Sequence, residues 1–127
     1  MTPIKVGQVW EAKADGDTPP ILCFVGKIDV LKTSDEDMRI LSVAVVPHPV
    51  AREVGWPIVD HLPVQEAAFL DADLKFVKDG AAVGERFQNG YDRWREKLDV
   101  GEVGVFHIAP SDAYAGVVQV VHNTATA

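Results

Sequence analysis

The stretch WPIVDHLPVQEAAFL, residues 56–70, marks the point where the chain changes from strand-rich to helix-rich sequence. An apolar run ends at His61, and Pro63 then opens a helical pattern, since proline is well tolerated in a first helical turn. Apolar runs typical of strands precede this junction, and apolar residues at helical spacing follow it. We therefore expect the most informative polar side chains to collect there.

Four strand-like segments are predicted up to the junction. The first is residues 6–12, and a turn at residues 15–20 follows it, because glycine and proline break the ladder there. Residues 21–31 and 38–46 are nearly all apolar, which predicts a long hairpin of central strands. A short fourth strand, residues 57–62, is expected near an edge.

Helical periodicity dominates the sequence after the junction. A first helix is predicted to begin at residues 63–65 and to reach Val77, or to end near Ala72 because Asp71 and Asp73 interrupt it. Its predicted inward stripe is Ala67, Leu70, Leu74 and Val77.

The clearest amphipathic pattern lies further along the chain. Four apolar residues recur there at helical spacing: Phe87, Tyr91, Trp94 and Leu98. Asn89 could cap the start of this helix, and Gly101 is placed to end it. A fifth strand over residues 103–108 and a third helix over about residues 110–121 complete the predicted elements.

Together these patterns predict a single α+β domain over residues 1–127. Its core is a curved, mainly antiparallel five-stranded sheet, either open or partly closed into a barrel, with three helices packed on it. The first three strands form a meander. Residues 61–67 and 107–113 follow the same order of residue types, which indicates either a duplicated strand–helix unit or two helix starts with the same capping.

Composition limits the classes of function. The chain is 47% apolar and carries a net charge of −7, with no basic stripe, so a nucleic-acid partner is not expected. A basic protein partner would suit that charge, and the acidic groups at residues 15–17 and 35–37 could face it. The single cysteine, Cys23, lies in an apolar run and is predicted to be buried. No apolar leader or membrane span is evident, so we predict a cytoplasmic protein.

Several segments resemble a group of small uncharacterised bacterial proteins. They are KVGQVW at residues 5–10, HLPV at 61–64, GYDRWR at 90–95 and GVFHI at 104–108. The similarity spans most of the chain and implies a bacterial single-domain protein. It implies no activity.

Three histidines are candidate metal ligands. His48, His61 and His107 lie at predicted strand ends, and Asp60 or Glu66 could add a carboxylate, a donor set that suits zinc or iron. However, no HExxH, HxH or CxxC spacing is present, so we predict no metal site. We expect His61 and His107 to be partly buried and to hydrogen-bond a neighbouring carbonyl or carboxylate.

A hydrolytic site is the other chemical reading. Asp60 and His61 could act as an acid–base pair, with Ser111 or Cys23 as nucleophile. Adjacent strand residues point to opposite faces, which argues against Asp60 orienting His61. The glycines match neither a dinucleotide nor a P-loop spacing, so no cofactor is predicted.

The leading hypothesis is a non-enzymatic protein-interaction module of the accessory or immunity type. Trp56 follows a proline-rich loop outside any periodic face, and we predict an exposed aromatic there. His61, Trp56, His107 and His48 are the candidate binding residues. The alternatives are a small enzyme or metal-binding protein centred on His61 and His107, a small-ligand-binding domain, and a homodimeric sheet protein.

Overall fold

A computed structural model describes residues 4–32 and 37–126 of the chain. Five antiparallel strands form one sheet in the order β4-β3-β2-β1-β5. The strands are β1 Val9–Ala12, β2 Ile21–Lys32, β3 Asp37–Pro47, β4 Val59–Gln65 and β5 Leu74–Lys78. The helices are α1 Pro49–Glu53, α2 Glu66–Asp71, α3 Glu85–Asp99 and α4 Pro110–Thr126.

The predicted α+β class and the five-stranded antiparallel sheet are confirmed. The sheet is open, so the barrel alternative is wrong, and the described residues form four helices rather than three. The meander of β1, β2 and β3 is also confirmed, and β4 lies at an edge as expected. Residues 33–36, including most of one acidic group, lie outside the described residues.

The identity of the fifth strand differs from the prediction. Of the two predicted ends of the first helix, the one near Ala72 is correct, since α2 stops at Asp71. The longer helix to Val77 is wrong, because Leu74–Lys78 form β5 and pair with β1 at the sheet edge. Phe76 of β5 packs edge-on against Trp10 while remaining 39% exposed, and Leu70 and Val77 of the supposed helical stripe are exposed as well. Residues 103–108 supply only a single parallel bridge, between Phe106 and Val64.

The two faces of the sheet are covered differently. On one face, here called the α2/α4 face, the fully buried Phe69 of α2 and Tyr114 of α4 pack over the strands. Buried strand residues complete this core: Ile21, Cys23, Val25, Leu41, Val43, Val45, Leu62 and Val64. Cys23 is therefore buried, as its apolar run predicts.

The opposite face, here called the α3 face, is covered by one helix. Phe87 and Trp94 are the buried residues of α3, on the predicted amphipathic stripe. The helix begins at the N-cap Gly84, so Asn89 lies inside it and the predicted cap is wrong. Gly101, with φ of 75°, directly follows the C-cap, as expected. Part of the sheet beyond Phe87 stays uncovered.

The connection from β3 to β4, residues 48–58, contains a helix that the sequence pattern did not reveal. Pro49 opens the short helix α1, and the His48 ring accepts a hydrogen bond from the Val50 N–H at 3.3 Å. Gly55, with φ of 105°, turns the chain, and the Trp56 N–H then donates to the Ala51 carbonyl at 3.1 Å. The connection is thus held by its own backbone.

Within residues 4–32 and 37–126, none of the helices has the length and apolar character that crossing a bilayer requires.

Candidate functional site

His61 lies on β4, beneath the middle of α3. Its Nε2 atom is 2.9 Å from Ser42 Oγ on β3. Three rings from α3 surround the imidazole, with centroids 5.7, 5.9 and 5.2 Å away: Phe87, Tyr91 and Trp94. Gly90 allows α3 to lie this close to His61, because a Cβ at position 90 would be 2.9 Å from His61 Cβ. His61 is therefore a packing centre between sheet and helix.

Burial decides the protonation state of this histidine. It lowers the pKa of His61 to about 4, so the imidazole is neutral at pH 7. Ser42 is fully buried, and a nucleophile needs a path to its substrate. The His61–Ser42 pair therefore serves as a satisfied internal hydrogen bond, as the sequence reading of His61 expected, although its partner is a hydroxyl.

Polar contacts fasten α3 to the sheet around this centre. The Tyr91 hydroxyl donates to the Asp29 carboxylate of β2 at 3.0 Å, and Arg95 Nε lies 3.7 Å from the same carboxylate. Burial and the Asp29 hydrogen bond raise the pKa of Tyr91. The Trp94 indole N–H donates to the Gly104 carbonyl at 3.0 Å. These bonds fix the position of the helix.

The other histidines do not join His61. The exposed His107 ring hydrogen-bonds Gln65 Oε1 at 2.8 Å through Nδ1, and the exposed His48 caps α1. Across the described part of the chain, no three His, Cys, Asp or Glu side chains are placed to hold one ion. The geometry thus offers no support for a shared metal centre.

The proposed nucleophiles are also kept apart from His61. Cys23 lies on the α2/α4 face, where burial raises its pKa to about 12 and keeps the thiol protonated. Ser111 is buried in the first turn of α4. The structure therefore does not bring His61 together with either side chain as the hydrolytic alternative would require.

Trp56 stands in a different environment. It is half-buried, and its ring stacks on that of Tyr114 with a centroid distance of 5.9 Å and an interplanar angle of 27°. Trp56 also lines a groove of about 440 Å³, here called the α4 groove, between the β1–β2 turn at Asp17 and the α4 residues Ala115 and Val118. The aromatic is accessible from this groove, although it is less exposed than predicted.

A second groove lies on the other side of the same connection. This α3 groove has a volume of about 380 Å³ and lies over the part of the α3 face that the helix leaves open, at Phe24, Ala44 and Val46. Ile58 and Phe87 border it. Between the grooves the connection exposes three aliphatic side chains: Val50 at 63%, Val54 at 75% and Ile58 at 47%. We call the connection and its two flanking grooves the connection surface.

Sequence reasoning identified Trp56 but missed most of this surface. Val50, Val54 and Ile58 have no helical or strand periodicity, and residues of the α3 groove come from distant segments. Only the position of Trp56 beside prolines signalled that the segment was unusual.

Comparison with known proteins gives no relative for this chain. No family model matches it, and neither a curated protein nor a solved structure does.

Proposed function

We propose that the chain is a small cytoplasmic protein-interaction module, of the accessory or immunity type, that catalyses no reaction itself. The connection surface is the binding site for its protein partner. One observation carries the proposal: three exposed aliphatic side chains, Val50, Val54 and Ile58, share one short connection that borders two grooves.

The grouping of these apolar side chains in one segment matters more than the exposure of any one of them. Single exposed aliphatic residues are common on soluble proteins and need no explanation. Val50, Val54 and Ile58 instead share one short connection with Trp56, whose aromatic type is enriched at interface hot spots. The connection is held by the Trp56-to-Ala51 backbone bond, so little ordering would be needed on binding.

The chemistry of the molecule supports binding over catalysis. The most suggestive polar group, His61, is neutral, hydrogen-bonded to the buried Ser42 and covered by α3 rings. A net charge of −7 favours a partner with basic residues and disfavours a nucleic acid.

Site-specific photo-cross-linking tests the proposal. Benzoylphenylalanine is placed singly at Val54 or Ile58, and at Val100 as a matched control, because Val100 is 69% exposed at the C-terminal end of α3. Irradiation in cells that carry the natural gene should yield the same discrete adduct from positions 54 and 58 and none from 100. Equal adducts at all three positions, or none, would contradict the proposal. An adduct of twice the chain mass would identify the partner as a second copy.

A small-ligand-binding role is the second candidate, and one groove favours it. His61, Trp94 and Phe106 border a groove of about 490 Å³ beside the C-terminal half of α3. A fragment screen by NMR would distinguish the two functions. Fragments that shift the Trp94 indole signal but not that of Trp56 would favour ligand binding.

A further inference from the structure

We propose that the α4 groove binds an arginine side chain of the partner, with its guanidinium stacked on Trp56 and paired with Asp17. This inference rests on the proposed function, because it names the residue type that the connection surface recognises. Three features of the groove lead to it: a fixed indole, an unpaired carboxylate and an apolar floor.

The indole is held in place before any ligand arrives. The ring of Tyr114 stacks against Trp56, and the fully buried Tyr114 is itself tied by its hydroxyl to the Pro57 carbonyl at 2.7 Å. The Trp56 N–H bond to Ala51 fixes the backbone. Tyr114 covers one face of the indole, and Trp56 also borders the groove. A fixed aromatic surface loses little conformational entropy when a ligand stacks on it.

The carboxylate borders the same groove as the indole and belongs to a rigid turn. Asp15 and Thr18 exchange two backbone hydrogen bonds, of 3.0 and 2.9 Å, and Asp17 lies between them. Asp17 is exposed and, among the side chains that the structure describes, is the only ionisable one bordering the groove. Within residues 4–32 and 37–126, no lysine or arginine forms an ion pair with it. Its charge is therefore available to a ligand.

A guanidinium fits this combination better than other groups. It is planar, weakly hydrated and permanently charged, so it can stack on tryptophan and donate hydrogen bonds to a carboxylate at the same time. Ala115 and Val118 on the floor of the groove could cover the methylene stem of an arginine. The net charge of −7 adds a general attraction for a basic partner.

A titration with a defined probe tests the inference. The probe is N-acetyl-arginine methylamide, and N-acetyl-citrulline methylamide is its neutral control. The readout is the indole N–H signal of Trp56 in a ¹⁵N-labelled sample, with Trp10 and Trp94 as internal references. The arginine probe should shift the Trp56 signal saturably, the citrulline probe should not, and the reference signals should stay in place.

Matched variants locate the interaction. Asp17→Asn should weaken probe binding by about threefold or more, whereas Asp15→Asn, in the same turn, should change it by less than about twofold. Trp56→Phe keeps an aromatic ring against Tyr114, and it should weaken binding because phenylalanine attracts cations less than tryptophan does. Its fold is checked by circular dichroism.

Several results would overturn the inference: no saturable shift at Trp56, equal binding of the citrulline probe, or equal effects of the two aspartate changes. Failure of the arginine site can be distinguished from failure of the proposed function. A partner cross-linked at positions 54 and 58 whose affinity survives Asp17→Asn would leave the proposed function standing without the arginine site. Probe binding without any cross-linked partner would leave the arginine site without the proposed function.

Discussion

Trp56 and His61 lie on one short segment, yet their surroundings differ in kind. His61 is enclosed by the rings of α3, hydrogen-bonded to the buried Ser42 and neutral at pH 7. Both residues border a groove, and the groove at Trp56 adjoins exposed aliphatic residues such as Val54. The difference shows that a histidine beside an acid is a poor guide to function when its ring is packed under a helix and bonded to a buried hydroxyl. The connection surface, where apolar side chains remain exposed, is the better guide to function.

The largest expected effect concerns the enclosed region. Phe87→Ala should lower the free energy of unfolding by about 3 to 5 kcal/mol, because the ring is 2% exposed and packs on His61 and Gly26. Urea denaturation measures the loss. Val100→Ala, on the exposed end of the same helix, should cost less than about 0.5 kcal/mol. Similar losses in the two variants would mean that α3 is not packed as described.

A double-mutant cycle that combines Gly26→Ala with Phe87→Ala tests the same packing of α3 on the sheet. A Cβ at this position would overlap the Phe87 ring, so Gly26→Ala should cost about 1 to 3 kcal/mol. Gly104→Ala is the control, since nothing lies within 4 Å of its Cβ position. In the Phe87→Ala background the cost of Gly26→Ala should largely disappear. A cost that persists there would show that Gly26 is required for its backbone and not for the ring.

The pH dependence of stability tests the neutral state of His61. Its folded pKa of about 4 lies below the ordinary value of 6.5, so the unfolded chain binds the proton more readily. The stabilising contribution is complete above pH 6.5 and is lost as the pH falls towards 4. Allowing for partial exposure, the loss should be about 1 to 2 kcal/mol.

His61→Gln supplies the control for this measurement, since glutamine keeps a polar side chain but does not titrate. The difference in unfolding free energy between pH 7 and about pH 4.5 should be smaller in the variant. Carboxylates titrate in both proteins and cancel in the comparison. Identical pH profiles would contradict a buried neutral His61.

The smallest effect on stability belongs to the connection surface. Val54→Lys should change the free energy of unfolding by about 0.5 kcal/mol or less, because the side chain is 75% exposed. Thermal or urea denaturation checks this. A loss as large as that of Phe87→Ala would mean that Val54 is part of the core, and the contrast between the two regions would fail.

Local patterns predicted much of the fold. The apolar runs of β2 and β3 and the stripe of α3 follow periods that the sequence displays directly. The same reasoning mistook β5 for helix, since Leu74 and Val77 fit a helical spacing while pairing with β1 decides the outcome. Propensity is a weak prior against such long-range pairing.

The candidate site was less predictable for the same reason. The Ser42 partner of His61 and the residues of the α3 groove are set by strand register, which joins positions far apart in the chain. Exposure of Val50, Val54 and Ile58 depends on where α1 turns the connection, and no periodicity records that. Trp56 could be selected as a candidate binding residue from its neighbours in sequence, but the two grooves of the connection surface could not be predicted.

The dissociation constant of the cross-linked partner, measured with purified proteins, most directly tests the contrast between the two regions. Val54→Lys should raise it by about tenfold or more without loss of stability, because a cation would enter an apolar contact and repel a basic partner. His61→Gln should lower stability and leave the dissociation constant unchanged at a temperature where the variant is folded. The opposite pattern, with affinity sensitive to His61 and indifferent to Val54, would contradict the proposed binding surface.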